Sequence, residues 1–153
     1  TTLSVWEMNY LLSKLTVSEV MTKNVITVAE DTPIEEAARI MADNKIGGLP
    51  VVKGARVVGI ITETNLFKMF LELMGAREQG VRVTALIEDK PGMLAKLTKA
   101  ITDAGGNFIA FGQFVGEDVN TRVVTFKVKG LGKDKVKKVT AEIANKIWDI
   151  REA

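Results

Sequence analysis

The chain is 153 residues long, with 46% apolar residues, 26% charged residues and a formal net charge of +2. These proportions are typical of a globular protein and exclude a largely disordered chain. The sequence has no cysteine and no histidine, which excludes disulfides, thiolate metal sites and catalysis by Cys or His, so we expect no enzyme activity. No apolar run reaches the roughly 18 residues of a membrane helix, and no signal peptide is recognisable. We therefore expect a cytoplasmic protein without a membrane partner.

The positive charge is concentrated in the second half of the chain. Residues 1–78 hold 8 basic and 10 acidic side chains, whereas residues 79–153 hold 13 and 9. Much of the excess comes from four lysines near the start of a predicted helix, Lys133, Lys135, Lys137 and Lys138. At this spacing they indicate a solvated helix face rather than a nucleic-acid footprint, so we expect no nucleic-acid partner.

Capping and turn signals divide the first half of the chain. Ser4 and Glu7 have the spacing of a capping box and open an amphipathic linker helix, predicted over residues 1–15. Another helix is predicted from Pro33 to Asn44, with Thr32 as its N-cap and Gly47-Gly48 as its stop. The other predicted elements are a helical turn at 16–21, strands at 25–28, 49–52 and 57–62, and a helix ending at Gly75.

A glycine-bounded polar segment, residues 75–80, is the predicted joint between two modules. Beyond it, the apolar pattern and the glycine turns predict the order β-α-β-β-α-β, which is the ferredoxin-like split plan. The strands are predicted at 81–88, 108–115, 121–129 and 148–151, and the helices at 91–104 and 133–146. The predicted fold class is therefore α+β, with a β-α-β-β-α module followed by a ferredoxin-like module.

The sequence VVGIITETNL, residues 57–66, is the first candidate ligand motif. Its strand delivers Thr62 to the start of a helix, with Thr64 and Asn65 in the first turn. A hydroxyl group beside unpaired helix N–H groups suits a phosphate, because the donors and the helix dipole act together. Either threonine would equally serve as an ordinary helix cap. The residues alone leave both interpretations open.

This motif resembles the signature of a CBS domain, the adenosine-ligand module named after cystathionine beta-synthase. The resemblance implies that Thr62 contacts a phosphate and that Asn65 faces the ribose, where the family has an aspartate. An amide can donate and accept there but lacks the charge of a carboxylate. The residues implied for the adenine slot, each of which is also compatible with an ordinary core position, are Ile26, Thr27, Ile46, Leu49, Pro50 and Val51.

A single CBS motif is half of the usual unit, because two motifs normally pack by their sheets into one disc. Either a partner motif preceded Thr1, or two chains supply one motif each. Exposed apolar surface on a lone module favours such pairing, so we expect a homodimer.

The sequence EDKPGMLAKLTKAITDAGGNF, residues 88–108, is the second candidate motif. The carboxylate of an amino acid would find N–H donors at Gly92, Met93 and Leu94, and Asp89 would take its ammonium group. The motif resembles an ACT domain, the amino-acid-sensing module of regulated enzymes, which implies that Asn107 also contacts the effector. Alternatively, Asp89 or Lys90 caps the helix and the module serves only as a dimerising joint.

Together the motifs resemble the carboxyl-terminal part of the CBS-CBS-ACT proteins of the acetoin-utilisation family, from Thr16 onward. The predicted domains are a linker helix at 1–15, a CBS motif at 16–75 and an ACT domain at 80–153. We predict a regulatory sensor that requires no cofactor, binds an adenosine nucleotide (AMP, ADP, ATP or S-adenosylmethionine) and possesses an amino-acid site. It is expected to dimerise through the CBS and ACT sheets. The alternative is a dimerisation or interaction module that binds no ligand.

Single features of the sequence also suggest an RNA-binding protein or an enzyme. Phenylalanines on the predicted strands, Phe108, Phe111, Phe114 and Phe126, suggest an RNA-recognition domain, but the RNP1 pattern is absent from residues 122–128. Strand alternation places Phe108 and Phe114 on one face and Phe111 on the other, so we expect at least one group in the core. An enzyme would have to depend on Asp89, Lys90, Glu117 and Asp118, which exposed turns also explain.

Overall fold

A computed structural model describes residues 3–153, which form parts of two compact units, Thr1–Glu63 and Thr64–Ala153. The division falls at the start of a helix, so the helix lies almost wholly in the second unit. The predicted joint at residues 75–80 lies inside the second unit as well. The predicted mixed α+β class is confirmed, since each unit combines helices with one sheet.

The first unit contains helices α1 (Val5–Lys14), α2 (Val17–Val20) and α3 (Ile34–Asn44). The capping box predicted before α1 is confirmed, because Ser4 N donates to the Glu7 carboxylate at 2.9 Å and Glu7 N donates to Ser4 Oγ at 3.3 Å. The bond from the Ser4 backbone, with a second from its hydroxyl, lowers the pKa of Glu7. A capping box also opens α2, between Thr16 and Glu19.

The end of α3 at Asn44 is predicted correctly, but its two caps are not the predicted residues. Pro33 is the N-cap, and no side chain caps the helix. The Thr32 hydroxyl instead accepts a hydrogen bond from Ala29 N at 3.1 Å and closes the preceding turn. The C-cap is Lys45, which adopts the left-handed conformation with φ 54°, and not the predicted Gly47-Gly48 pair.

We expect the substitution Lys45→Gly to stabilise the chain by up to about 1 kcal/mol. The left-handed conformation costs a residue with a Cβ about 1–2 kcal/mol, and the greater backbone entropy of glycine offsets part of that gain. Urea unfolding measures the difference. The control is Asn44→Gly, one residue earlier and inside α3, which should be destabilising because Asn44 Nδ2 donates to Ile40 O at 2.8 Å. A less stable Lys45→Gly protein would contradict the expectation.

The sheet of the first unit has the order β1-β2-β3, with β1 at Val28–Ala29, β2 at Gly48–Lys53 and β3 at Arg56–Thr62. Strands β1 and β2 are parallel, and β3 is antiparallel to β2 across the predicted hairpin. The first strand is shorter and later than predicted, because only Val28 and Ala29 pair with β2. Behind the sheet, a small core joins Val28, Ala37, Met41 and Leu49.

Helix α4 (Glu63–Leu73) is followed by six elements in the order β-α-β-β-α-β. They are β4 (Val81–Glu88), α5 (Met93–Asp103), β5 (Asn107–Val115), β6 (Thr121–Lys129), α6 (Lys133–Ala141) and β7 (Lys146–Glu152). The sheet order is β5-β6-β4-β7, and each neighbouring pair is antiparallel. Helix α6 is shorter than predicted because Asn145 N donates to Leu86 O at 2.8 Å and draws the chain into β7.

The core of the second unit lies between this sheet and helices α5 and α6. Phe126 lies at its centre, 5.6 Å from Phe108 and 6.2 Å from Phe111 between ring centroids. The predicted alternation along β5 is therefore wrong, since Phe108 and Phe111 both pack on the core. A register shift between Phe108 and Ala110 changes the direction of the side chains that follow it. Phe114 is exposed, so three of the four aromatic rings are used for packing.

Candidate functional site

The residues implied for nucleotide binding converge at one edge of the three-stranded sheet. Parallel strands β1 and β2 both begin at this edge, and antiparallel β3 ends there. Six of the predicted residues lie before β1 or β2 or in the first part of β2, and the seventh is the last residue of β3. All seven are therefore at this edge. These are Ile26, Thr27, Ile46, Leu49, Pro50, Val51 and Thr62.

The end of β3 lies directly beside Gly47 and Gly48, at the start of β2. Gly48 is the register partner of Thr62, and Glu63 N donates to Gly47 O at 3.1 Å. A Cβ added at Gly48 would lie 3.4 Å from Ile61 O and 3.6 Å from Thr62 Cγ2. These are ordinary van der Waals distances, so the space beside Thr62 does not by itself require glycine at position 48.

Burial separates the members of this set. Leu49 is completely buried and belongs to the core of the unit, whereas Ile46, Pro50 and Val51 are half-buried and Ile26 is exposed. Leu49 therefore fits the ordinary-core alternative best. Asn65 is an exposed residue in the first turn of α4, three positions after Thr62 in the chain.

A cavity of about 390 Å³ lies in the second unit where β4 passes into α5. Four of the five residues predicted for effector binding line it, namely Asp89, Gly92, Met93 and Leu94. The other lining residues are Ile87, Glu88, Lys90, Pro91, Gln113 and Arg122. Asn107 is not among the lining residues, since it begins β5 opposite Lys129.

The helix cap predicted at Asp89 or Lys90 is wrong. Gly92 is the N-cap of α5, with φ 88° and ψ −11°, and no side chain of the described residues caps this helix. The positive φ explains why glycine is used at this position. The first turn of α5 lines the cavity at Met93 and Leu94 without a capping side chain, so the positive end of the helix dipole lies at the cavity wall.

Asp89 is instead paired with a cation from a neighbouring strand. Its Oδ2 accepts a hydrogen bond from Arg122 Nε at 2.8 Å, and Lys90 pairs with Glu88. Arg122 was not among the predicted residues, because it is brought to Asp89 by the β4–β6 register, in which it lies opposite Ile87. Only the pairing of β4 with β6 indicates that Arg122 belongs to this site. The cavity thus carries two acidic and two basic side chains in two ion pairs.

Three of the four side chains considered for catalysis, those of Asp89, Lys90 and Asp118, form ion pairs or hydrogen bonds with neighbouring residues. Asp89 and Lys90 form the ion pairs above, and Asp118 Oδ1 accepts from Asn120 N at 2.8 Å within the β5–β6 turn. No group of three or more acidic side chains in residues 3–153 is placed to hold a metal ion. In the same part of the chain, no helix has the length and apolar character to cross a membrane.

The family model of the CBS domain matches residues 17–72. L-Aspartate semialdehyde sulfurtransferase of Methanocaldococcus jannaschii is 44% identical over 59 residues, which are 38% of this chain and 12% of that protein. A CBS domain-containing protein of Dictyostelium discoideum is 34% identical over 59 residues, which are 38% of this chain and 41% of that protein. Similarity to both relatives is therefore confined to a part of each.

A solved CBS domain pair, in complex with 5′-methylthioadenosine and S-adenosyl-L-methionine, is 37% identical to this chain. The match covers 48% of this chain and 58% of the solved one, with a TM-score of 0.38. The chain spans less than half the length of the two curated relatives and less than two thirds of the solved pair. On the match to the family model, residues 17–72 of this chain are a CBS domain.

Proposed function

We propose that this chain is a cytoplasmic regulatory protein, or the regulatory part of one, that senses small molecules and catalyses no reaction. The CBS domain would bind an adenosine nucleotide, and the second module would bind an amino acid. The match of the CBS domain to residues 17–72 is the observation that carries this proposal. The resemblance to the acetoin-utilisation family adds the expectation that an ACT module follows the CBS domain.

Thr62 and Asn65 are the proposed contacts to the polar part of the nucleotide. Thr62 ends β3, so its hydroxyl lies where a strand passes into a helix N-terminus, which favours a phosphate group. Asn65 would bond the ribose hydroxyls through a neutral amide, which makes weaker bonds than a carboxylate. The proposed ligands are AMP, ADP, ATP and S-adenosylmethionine.

The test is a thermal-shift screen of the full chain against these four nucleotides, followed by titration calorimetry of the best one. A ligand at 100 times its dissociation constant stabilises a protein by about 2.7 kcal/mol. In the Thr62→Ala variant the affinity should fall by about tenfold or more, since hydrogen bonds to charged groups contribute about 1.5–3 kcal/mol.

The matched control is Thr98→Ala, whose hydroxyl bonds only to carbonyl groups of its own helix. This variant should bind the nucleotide as the unmodified chain does. Undiminished affinity in Thr62→Ala would show that Thr62 is only a structural residue. If none of the four nucleotides raises the melting temperature, the nucleotide site itself is refuted.

The β-α-β-β-α-β order and the cavity at the β4–α5 loop support the second half of the proposal. This is the order expected for an ACT domain, and four predicted effector residues line the cavity. Sites of this kind are clefts of about 300–1,000 Å³ with a few polar groups among apolar ones. The cavity of about 390 Å³ falls within that range.

Exposed apolar side chains favour a second candidate function, dimerisation without a ligand. Trp6 on α1 is 85% exposed, and Val57 and Ile60 on β3 are 64% and 66% exposed. Apolar surface on this scale usually marks an interaction site, and we propose a homodimer in either case. Molecular mass in solution does not separate the two functions, because both give dimers. The Thr62→Ala titration does, since only a sensor loses affinity.

A further inference from the structure

We propose that the Arg122–Asp89 ion pair makes the cavity at the β4–α5 loop selective for zwitterions, namely amino acids with apolar side chains. This inference rests on the proposed amino-acid function of the second module and specifies its ligand. The ligand would insert between the two side chains, with its carboxylate on Arg122 and its ammonium group on Asp89.

The geometry of the pair makes such an exchange feasible. Arg122 Nε and Asp89 Oδ2 are 2.8 Å apart, and the side chains are 37% and 33% exposed. The pair is therefore neither sealed in the core nor fully solvated. A guanidinium group has five N–H donors, and within residues 3–153 Arg122 uses only Nε in a side-chain bond. Its remaining donors are available for a ligand carboxylate.

A zwitterion is favoured because it gives each charge of the ion pair a new partner of opposite sign. A simple carboxylic acid that binds Arg122 would leave Asp89 without a cation, and a simple amine that binds Asp89 would leave Arg122 without an anion. A partly buried charge that loses its partner raises the free energy of the complex. Each such ligand therefore binds more weakly than an amino acid, which leaves neither charge unpaired. The uncapped first turn of α5 adds donors for the carboxylate alone.

The walls of the cavity indicate the side-chain class. Ile87 and Met93 are buried core residues that also line the cavity, and Leu94 adds a partly exposed apolar surface. The remaining charged lining residues, Glu88 and Lys90, are already paired with each other. A charged ligand side chain would find no unpaired opposite charge among the described lining residues, whereas an apolar side chain can pack against Ile87, Met93 and Leu94.

Titration calorimetry on the full chain tests the inference with two sets of matched compounds. The first is L-leucine, 4-methylpentanoate, which lacks the ammonium group, and 3-methylbutylamine, which lacks the carboxylate. The second is L-phenylalanine, 3-phenylpropanoate and 2-phenylethylamine. We expect at least one of the two amino acids to bind, and its two analogues to bind at least tenfold more weakly. This comparison needs no variant, so it does not depend on how a substitution folds.

The variant Arg122→Gln should weaken binding of the amino acid by at least tenfold. Arg151→Gln is the control, because Arg151 forms a comparable pair with Asp149 on β7 and does not line the cavity. If an amino acid binds but its analogue without the ammonium group binds equally well, or Arg122→Gln keeps full affinity, the inference is overturned and the proposed function stands. If only amino acids with polar side chains bind, the apolar class is overturned. If none of the common amino acids binds, the proposed amino-acid function fails with it.

Discussion

Replacing Phe126 with alanine is expected to destabilise the second unit by about 3–5 kcal/mol, the range found when a buried phenylalanine is truncated. Phe126 is completely buried and contacts the rings of Phe108 and Phe111. Its removal leaves a cavity that the neighbouring strands cannot close. Urea unfolding followed by circular dichroism should show the loss as a lower midpoint for the second unit.

The matched control is Phe114→Ala, the same substitution on the neighbouring strand β5. Phe114 is 49% exposed, so we expect a loss within about 0.5–1 kcal/mol. Equal losses in the two variants would contradict the assignment of Phe126 to the centre of the core. Because Ile87 and Met93 belong to the same core and line the cavity at the β4–α5 loop, Phe126→Ala should also weaken the proposed binding of an amino acid there.

Elements whose sequence carries its own signals were predicted well. Strands β4 and β6 begin and end at the predicted residues, because each is a run of apolar and β-branched residues with turn residues on both sides. The end of α5 was equally clear. Gly105 follows this helix with φ 99°, and Gly106 N donates to Ile101 O at 2.9 Å. This is a glycine cap of the kind that the Gly-Gly pair predicts.

The segment between Gly75 and Gly80 shows where local composition was insufficient. Its two glycines bound the predicted joint between the modules, and they also have a packing role. A Cβ at Gly75 would lie 2.5 Å from Ile109 Cγ2, and one at Gly80 would lie 2.6 Å from Val128 O. Both glycines therefore permit close packing against the sheet. The atoms they approach come from strands much later in the chain, so no short window of sequence reveals the contact.

Only part of the second candidate site was predicted, again because one of its contacts comes from a distant strand. Asp89, Gly92, Met93 and Leu94 are neighbours in sequence, so one motif identified all of them. Arg122 reaches Asp89 only through the pairing of β4 with β6, and the residue two positions beyond Arg122 already faces the core. Pairing of distant strands, and not residue type, decides which arginine meets the loop.

Lys127 is a buried cation that the sequence did not single out. It is 4% exposed, and its Nζ donates to Gly75 O at 2.9 Å and to Glu78 O at 2.8 Å. No carboxylate within residues 3–153 forms an ion pair with it. The ammonium group therefore fastens the segment after α4 to strand β6 through two backbone carbonyls. A buried charge is tolerated in this form because both bonds are short and charge-assisted.

We expect Lys127→Met to lower the free energy of unfolding by about 2 kcal/mol, which is the net result of two opposing effects. Methionine keeps the apolar stem and removes the desolvation penalty of the ammonium group, but it removes two charge-assisted hydrogen bonds, at about 1.5–3 kcal/mol each. Gly75 O keeps its hydrogen bond from Glu78 N at 3.1 Å, and Glu78 is exposed, so the loss stays well below the sum of the two bonds. Hydrogen exchange should show this loss locally, as faster exchange of the amides of residues 75–78. The control is Lys129→Met on the same strand, since Lys129 is exposed and its ion pair with Glu78, at 3.9 Å, contributes less than about 1 kcal/mol. A Lys127→Met protein as stable as the unmodified chain would mean that desolvation of the ammonium group outweighs both hydrogen bonds.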